Sequence, residues 1–526
     1  MKKLFLSILV LGAYFAHAQA PTIESGLVAL ENDQFNKAKG IFMSLLNSNP
    51  ETSGQAYYYL ASAYYQSGKS DSGQMIINKA TSLLPQNPYI KVAAGREALN
   101  AKNPVDAKAN FDAAIQSTKG KDAKVFALIG DAFLNSAMPD RAAAITFLQQ
   151  GIIVDKTNTE LYLLYGDAKK RMENGGGEAA SAYEKAVELK AVARGQTRLG
   201  SLYGEARNLE TSSAAFDAAL VADASYIAAN RDKGEMLYTL KKYSLARDEY
   251  KTYMETADTT NDNLTRFAYM SFQAKDYESV SSIINILLAK DSTNVTLYRL
   301  NGYSFCEKKN YPAALENLQK FFDKADTSKI IYLDYKYYGK ALMESKQDSL
   351  AEIMIGKAVI LDSTECDLYA DQGDIYMRLK RYTDAQASYA KKMACANSQG
   401  AADYFLLGKS YYFNKQYDIS DSLFRKVIEL KPASSVGYYW AARSTLYKKE
   451  NNIDEAIPLY DKYLEIVSVD LTKASKKELA EAYLNKGKNA ILKDDKVKAK
   501  EFLNKVLEFD AENKEAKDLL SSLAKG

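Results

Sequence analysis

The chain of 526 residues is poor in the residues that break or staple structure, with 9 prolines, 27 glycines, 3 cysteines, 1 tryptophan and 1 histidine. So few prolines and glycines exclude a loop-rich β sandwich, a collagen-like rod and a disordered linker protein. An excess of one charge is also missing, since 69 basic residues stand against 66 acidic ones. Nothing global therefore points to nucleic acid or to an anionic membrane, either of which usually shows as a concentrated basic surplus. Long apolar runs are absent beyond the N-terminus: the strongest, Ile283 to Ala289, falls far short of the roughly 20 residues that cross a bilayer. What is there, 47% hydrophobic and 26% charged residues, is the composition of a folded chain with a large apolar interior.

The N-terminus reads as an address. Met1-Lys2-Lys3 precedes a short apolar core from Leu4 to Leu11, and Ala16-His17-Ala18 supplies a small-x-small cleavage pattern, which resembles a bacterial secretory signal peptide over residues 1–18. Cleavage before Gln19 is the first expectation and before Pro21 the second. No cysteine lies near the site, so a lipoprotein anchor is not expected, and the mature chain is expected in the periplasm. Cleavage removes His17, the single histidine, and with it every mechanism built on an imidazole, including Ser-His-Asp and Cys-His catalysis and histidine-ligated zinc. No enzyme activity, cofactor or metal is expected.

A fixed period dominates the rest. Small residues inside apolar helical stretches recur at Gly26, Ala61, Gly95, Gly130, Gly166, Gly200, Gly234, Ala268, Gly302, Gly339, Gly373, Gly408, Ala442 and Gly487, at spacings of 34 to 37 residues except for a final 45. Twelve residues after most of these anchors stands a second small residue, such as Ala38, Ala107, Ala246 or Ala385, and insertions of one or two residues place Ala144, Ala179 and Ala456 in the same role. Four residues further on comes a large one, clearest at Phe42, Phe111, Tyr183, Phe216, Tyr250, Tyr389, Phe424 and Tyr460. This order, with Leu407-Gly408, Tyr411, Tyr417, Phe424 and Pro432 as the best single match, resembles the tetratricopeptide repeat family over roughly residues 22 to 512.

The resemblance implies an all-α, right-handed α-solenoid of about 14 helix-turn-helix repeats with a C-terminal capping helix over Lys514 to Ala524. The small residues let two antiparallel helices approach, and the large one fills the space beside them. Helices of 12 to 15 residues are marginal alone, so each pair buries its flank on the next. The expected layout is a signal peptide over 1–18, a solenoid of about 13 repeats over 19–468, a linker or hinge over 469–478 containing Lys473, Lys476 and Lys477, and the final repeat plus cap over 479–526. Gly175-Gly176-Gly177 lacks the Lys-Ser/Thr of a phosphate loop and reads as a turn, as does Asp494-Asp495.

Cys306, Cys366 and Cys395 make an odd count. Cys366 starts the first helix of the eleventh repeat and Cys395 ends the second, ends that antiparallel packing sets side by side, so a Cys366–Cys395 disulfide stands as one reading and three free thiols as the other. Tyrosine is abundant, 39 residues, and many tyrosines sit three residues after an anchor, where the family packs an aromatic between helices.

Two function classes follow. The first is a periplasmic scaffold or adaptor that binds proteins, by resemblance in envelope assembly or secretion. The second is a carbohydrate- or peptidoglycan-binding module, for which exposed tyrosines would also serve. The resemblance places the binding surface in a concave groove lined by first helices. Positions three before, one after and four after each anchor share one helical stripe. From the seventh to the thirteenth repeat they include Arg231, Tyr238, Tyr269, Phe272, Arg299, Tyr303, Lys336, Lys340, Met343, Met377, Phe405, Lys409, Tyr412, Tyr439, Arg443 and Leu446. The same positions in the fourth and fifth repeats carry no aromatic, so the C-terminal half is the better candidate.

Overall fold

A computed structural model describes residues 20–48, 53–395, 399–448, 452–470 and 474–525. The expected signal peptide over 1–18 lies outside these residues, as does Lys473. Among the described residues there are 29 α-helices, numbered α1 (Ile23–Glu31) to α29 (Lys514–Lys525) along the chain, one short 3-10 turn and no strand. The fourteen anchors fall one in each odd-numbered helix from the first to the twenty-seventh, and the last helix is the cap. The architecture is an all-α solenoid of fourteen helix pairs.

The small-large rule is visible atom by atom. A methyl group added at Gly166 would meet the Tyr183 ring at 2.3 Å, and one at Gly373 would meet Tyr389 at 2.4 Å. Each ring belongs to the second helix of the same pair, sixteen or seventeen residues downstream. Tyr183 and Tyr389 are buried beside their anchors, which accounts for part of the tyrosine surplus as interior packing.

The turn between first and second helix is built the same way in most pairs. Seven residues past the anchor the backbone turns left-handed, with φ of 58° at Lys102, 59° at Lys241, 63° at Lys275, 58° at Lys309, 61° at Lys346, 59° at Lys380 and 60° at Lys415. The next amide reaches back five residues, as from Asn103 N to Ala98 O, Asn310 N to Phe305 O and Arg381 N to Tyr376 O, each at 2.8 Å. This pattern closes the first helix and normally uses glycine. A β-carbon there costs about 1 kcal/mol. Between repeats, Asp155, Asp223, Asp291 and Asp362 accept hydroxyl hydrogen bonds at 2.6 to 2.7 Å from Thr157, Ser225, Thr293 and Thr364, a turn that caps one helix and aims the next.

The glycine run is a turn with one constrained member. Asn174 has φ of 57°, and a β-carbon at Gly175 would lie 2.0 Å from the Lys169 carbonyl. Cys366 and Cys395 form a disulfide, while Cys306 is a buried free thiol whose pKa burial pushes up to about 12.

The chain divides into two compact units, one ending at Leu287 and the other beginning at Leu288. That boundary is not marked by any break in the period.

Candidate protein-binding groove

First helices line the inner side of each unit because they pack on one another. In the N-terminal unit α5 (Pro88–Asn100) packs on α7 (Ala123–Asn135), and α11 (Val192–Glu205) on α13 (Ala228–Thr239); in the C-terminal unit α17 (Val295–Glu307) packs on α19 (Tyr332–Glu344). Among the described residues no successive second helices pack on each other to a comparable extent. The expected stripe lies on these inner helices, but the two units use it differently.

In the N-terminal unit the first repeat reaches across to the first helices of the sixth and seventh repeats and meets the expected stripe at Arg231. Glu31, at the end of α1, accepts hydrogen bonds from Arg194 Nε at 2.8 Å and Nη2 at 2.7 Å, from Arg198 Nη2 at 2.8 Å and from the Tyr226 hydroxyl at 2.7 Å. Asn32 donates to Ser225 O and accepts from Ala228 N, and Asp258 N donates to Asp33 O at 3.0 Å. Tyr253 donates its hydroxyl proton to Asp33. The unit is thus closed on itself by a seam joining residues about 160 to 220 positions apart. Arg194 is 4% exposed and also holds Glu160 at 2.7 Å. Burial raises the Glu31 pKa, but Arg194 and Arg198 outweigh it and hold the carboxyl well below the usual range. Four expected groove residues fall in this unit. Arg231 pairs with Asp33 at 2.8 Å and Asp232 at 2.9 Å, Tyr238 lies under the Arg266 guanidinium at 4.3 Å, Phe272 packs edge-on against Tyr277, and Tyr269 is half-buried.

In the C-terminal unit most of the stripe is taken up in internal fastening, Tyr412 and Tyr439 included at 8% and 4% exposed, and only its end adjoins an accessible depression. Arg299 and Tyr303 both reach the fully buried Asp334, at 2.9 and 2.6 Å, and Tyr303 stacks on Tyr337 at 4.1 Å between ring centres. Lys336 and Lys340 are half-buried and face Asp371, whose pKa burial raises to about 6 against their opposing pull. Met343 packs against the Leu342 and Ile355 cluster.

Toward the C-terminus the stripe gathers around the single tryptophan. Trp440 lies on α25 (Ser435–Lys448) with Lys409 Nζ 5.5 Å and the Arg443 guanidinium 4.8 Å from its ring centre. Tyr412, on α23 (Ala401–Phe413), meets Trp440 at 5.2 Å and lies under Arg443 at 4.9 Å, and Phe405 meets Trp440 at 6.4 Å. Tyr439 donates to Glu481 at 2.9 Å, and Arg443 pairs with the same carboxylate at 2.8 Å. Beside this cluster opens a depression of about 600 Å³, walled by Leu446, Tyr447, Leu484, Ile491, Leu492 and Leu519, with Glu481, Lys488 and Glu515 among its polar residues. Tyr447 is 52% and Leu492 69% exposed.

Leu484, Lys488 and Ile491 were not on the sequence-derived stripe, although the same three offsets from Gly487 yield them; the stripe had stopped at the thirteenth repeat. Trp440 lies two residues before Ala442, off the stripe, and only the neighbouring helix shows its role.

Two models of the tetratricopeptide repeat match the chain, one at residues 197–260 and one at 404–434 and 480–513. A comparison with curated proteins finds no match. Among solved structures, the C-terminal part of a tetratricopeptide repeat-containing protein from Cytophaga hutchinsonii is 31% identical, with 48% of this chain and 98% of that one covered and a TM-score of 0.42. A tetratricopeptide repeat protein from Parabacteroides merdae is 14% identical, covering 48% and 98%, with a TM-score of 0.37. YrrB, described as a tetratricopeptide repeat protein with an unusual peptide-binding site, is 18% identical, covering 40% and 100%, with a TM-score of 0.32. From the in-phase repeats, the two model matches and the identity over nearly the whole Cytophaga hutchinsonii relative, the chain belongs to the tetratricopeptide repeat family.

Proposed function

We propose that this chain is an exported scaffold of the bacterial envelope that holds a segment of a partner protein in the depression of its C-terminal unit. The observation that carries the reading is the contrast between the two inner faces. In the N-terminal unit the inner cavities are lined mainly by charged and polar side chains that already pair with one another or with Asp33, among them Glu31, Asp167, Arg198 and Arg231, whereas at the C-terminal end an aromatic and arginine cluster adjoins an accessible apolar depression. Aromatic and arginine side chains beside a pocket are the usual anchors of protein interfaces. The walls call for aliphatic side chains on the partner. The rim charges pair with one another, Arg443 with Glu481 and Lys488 with Glu515 at 2.5 Å, so an amphipathic helix with a modest charge suits the site better than a strongly acidic tail. Export rests on the Lys2-Lys3 start, the apolar run and the Ala16-His17-Ala18 pattern. A disulfide between Cys366 and Cys395 suits an oxidising compartment.

A photocrosslinking residue placed at Leu492, in the depression, should capture a partner in the native envelope. The same residue at Ile360, 83% exposed on α20 (Asp348–Leu361), should not. Equal yields of the same adduct at both positions, or none at Leu492, would remove the depression as the site. Mass determination of the mature N-terminus in the periplasmic fraction tests export, since an uncleaved chain retained in the cytoplasm contradicts it.

A further inference from the structure

The seven left-handed lysines that stand seven residues past an anchor are a costly choice that the fold does not require. Gly68 occupies the same turn in the second repeat with φ of 74°, so glycine is accepted there and removes the steric cost of a β-carbon. Complementing the negative end of the first helix is not a sufficient reason either, because a lysine one residue earlier would do so in ordinary helical geometry. Retained strain of this kind points to a use for the side chain.

In the C-terminal unit four such lysines stand in consecutive turns, Lys309, Lys346, Lys380 and Lys415. All four are exposed, and none has an ion-pair partner among the described residues. The turns form one continuous edge. Cys306 Sγ contacts Tyr337 O at 3.5 Å, Arg378 Nη2 donates to Met343 O at 2.8 Å, Tyr382 stacks on Phe413 at 5.7 Å, and Tyr417 meets Tyr447 at 5.5 Å. Most acids along the edge are already answered: Asp348 by Arg378 at 2.8 Å, Glu352 and Asp384 by Arg381 at 2.7 Å each, and Asp418 by Lys448 at 3.6 Å. Glu307, which accepts from the Tyr337 hydroxyl, and Glu344 remain, and two acids against four lysines still leave the row with an excess of positive charge. The same edge exposes apolar tips at or just past the turns: Leu350 is 46%, Phe413 40% and Ile419 45% exposed. The near-neutral total charge of the chain hides this sorting.

We propose that the turn edge of the C-terminal unit docks on a bilayer surface that contains anionic lipid. Unpaired lysines meet the headgroups, and the aliphatic and aromatic tips between them enter the boundary with the acyl chains. Exposed aliphatic side chains favour a bilayer over a nucleic acid, which has no place for them. The inner depression, walled by residues between Arg443 and Leu519 beyond the four lysine turns, is left open to a partner.

The backbone offers an unusually clean test. Replacing the four lysines by glycine (K309G/K346G/K380G/K415G) removes the charge while relieving the left-handed strain, so the variant folds at least as well as the parent. The purified full chain is sedimented with phosphatidylcholine vesicles, with and without about 30 mol% phosphatidylglycerol, at about 0.15 M and about 1 M salt. The expected result is sedimentation with the anionic vesicles only, weakened at high salt, and a loss of roughly 600-fold in partitioning for the variant, at about fivefold per lysine. A companion variant with glutamine at the four positions should lose binding equally. Equal sedimentation with neutral vesicles, unchanged binding by both variants, or binding to duplex DNA without binding to vesicles would each overturn the proposal.

Discussion

Replacing Glu31 by alanine should cost the N-terminal unit more than any surface change in it, and the seam geometry sets the size. The carboxylate accepts four hydrogen bonds, three from Arg194 and Arg198 and one from the Tyr226 hydroxyl. Truncation leaves that hydroxyl, on a side chain 2% exposed, without its acceptor, worth about 1 to 3 kcal/mol. It also removes one member of a buried charge network, worth about 3 to 5 kcal/mol. The two losses overlap. Adjoining cavities of about 220 and 510 Å³ both touch Glu31 and Arg198 and let water reach the abandoned guanidinium groups, so the lower end, about 3 kcal/mol, is expected. Urea unfolding followed by circular dichroism gives the magnitude, and hydrogen exchange over α1 locates it. Glu24→Ala is the control: this carboxylate also reaches Arg194, at 3.1 Å, but is 55% exposed, so it should cost under about 1 kcal/mol. The dependence on pH has a defined sign. The Glu31 carboxyl titrates well below its unfolded value, so its contribution is complete above the unfolded pKa of about 4.3 and fades as the solution becomes more acidic. The gap between parent and variant should therefore narrow below about pH 4. A cost below about 1 kcal/mol, or equal to that of Glu24→Ala, would show that the seam does not hold the unit closed.

Four further variants probe the rest of the scaffold. Asp371, raised to about 6 by burial although Lys336 opposes the rise, is destabilising when ionised. Asp371→Asn should stabilise the C-terminal unit by roughly 1 to 3 kcal/mol above pH 6, with no difference below about pH 4, as read from melting temperatures across pH. The disulfide closes a sequence separation of 29 residues, so Cys366→Ser with Cys395→Ser should cost about 3 kcal/mol, and alkylation of the denatured, non-reduced parent before mass analysis should label only Cys306. Gly166→Ala should destabilise by about 1 to 3 kcal/mol because its methyl group meets the Tyr183 ring. Gly356→Ala, within α20 and with open space around it, should instead stabilise by about 0.5 to 1 kcal/mol.

What the sequence made legible is what lies within one repeat. The Gly166 and Tyr183 contact spans seventeen residues and the turn at Lys309 seven, so both leave a signature that recurs with the period. The candidate site was legible only where its partners are equally near. The stripe offsets located Tyr303 and Tyr412, but the features that decide their accessibility, Asp334 and Trp440, each stand on the next repeat. The seam was invisible for a stronger reason. Glu31 meets Arg194 across 163 residues, a distance set by how many repeats bring the N-terminal unit back on itself, and that number depends on the small angle between neighbouring pairs rather than on any residue pattern. An angle that accumulates over five or six repeats turns a slight change in packing at each interface into contact or separation at the seam. Glu31 and Arg194 therefore record the summed geometry of every repeat between them.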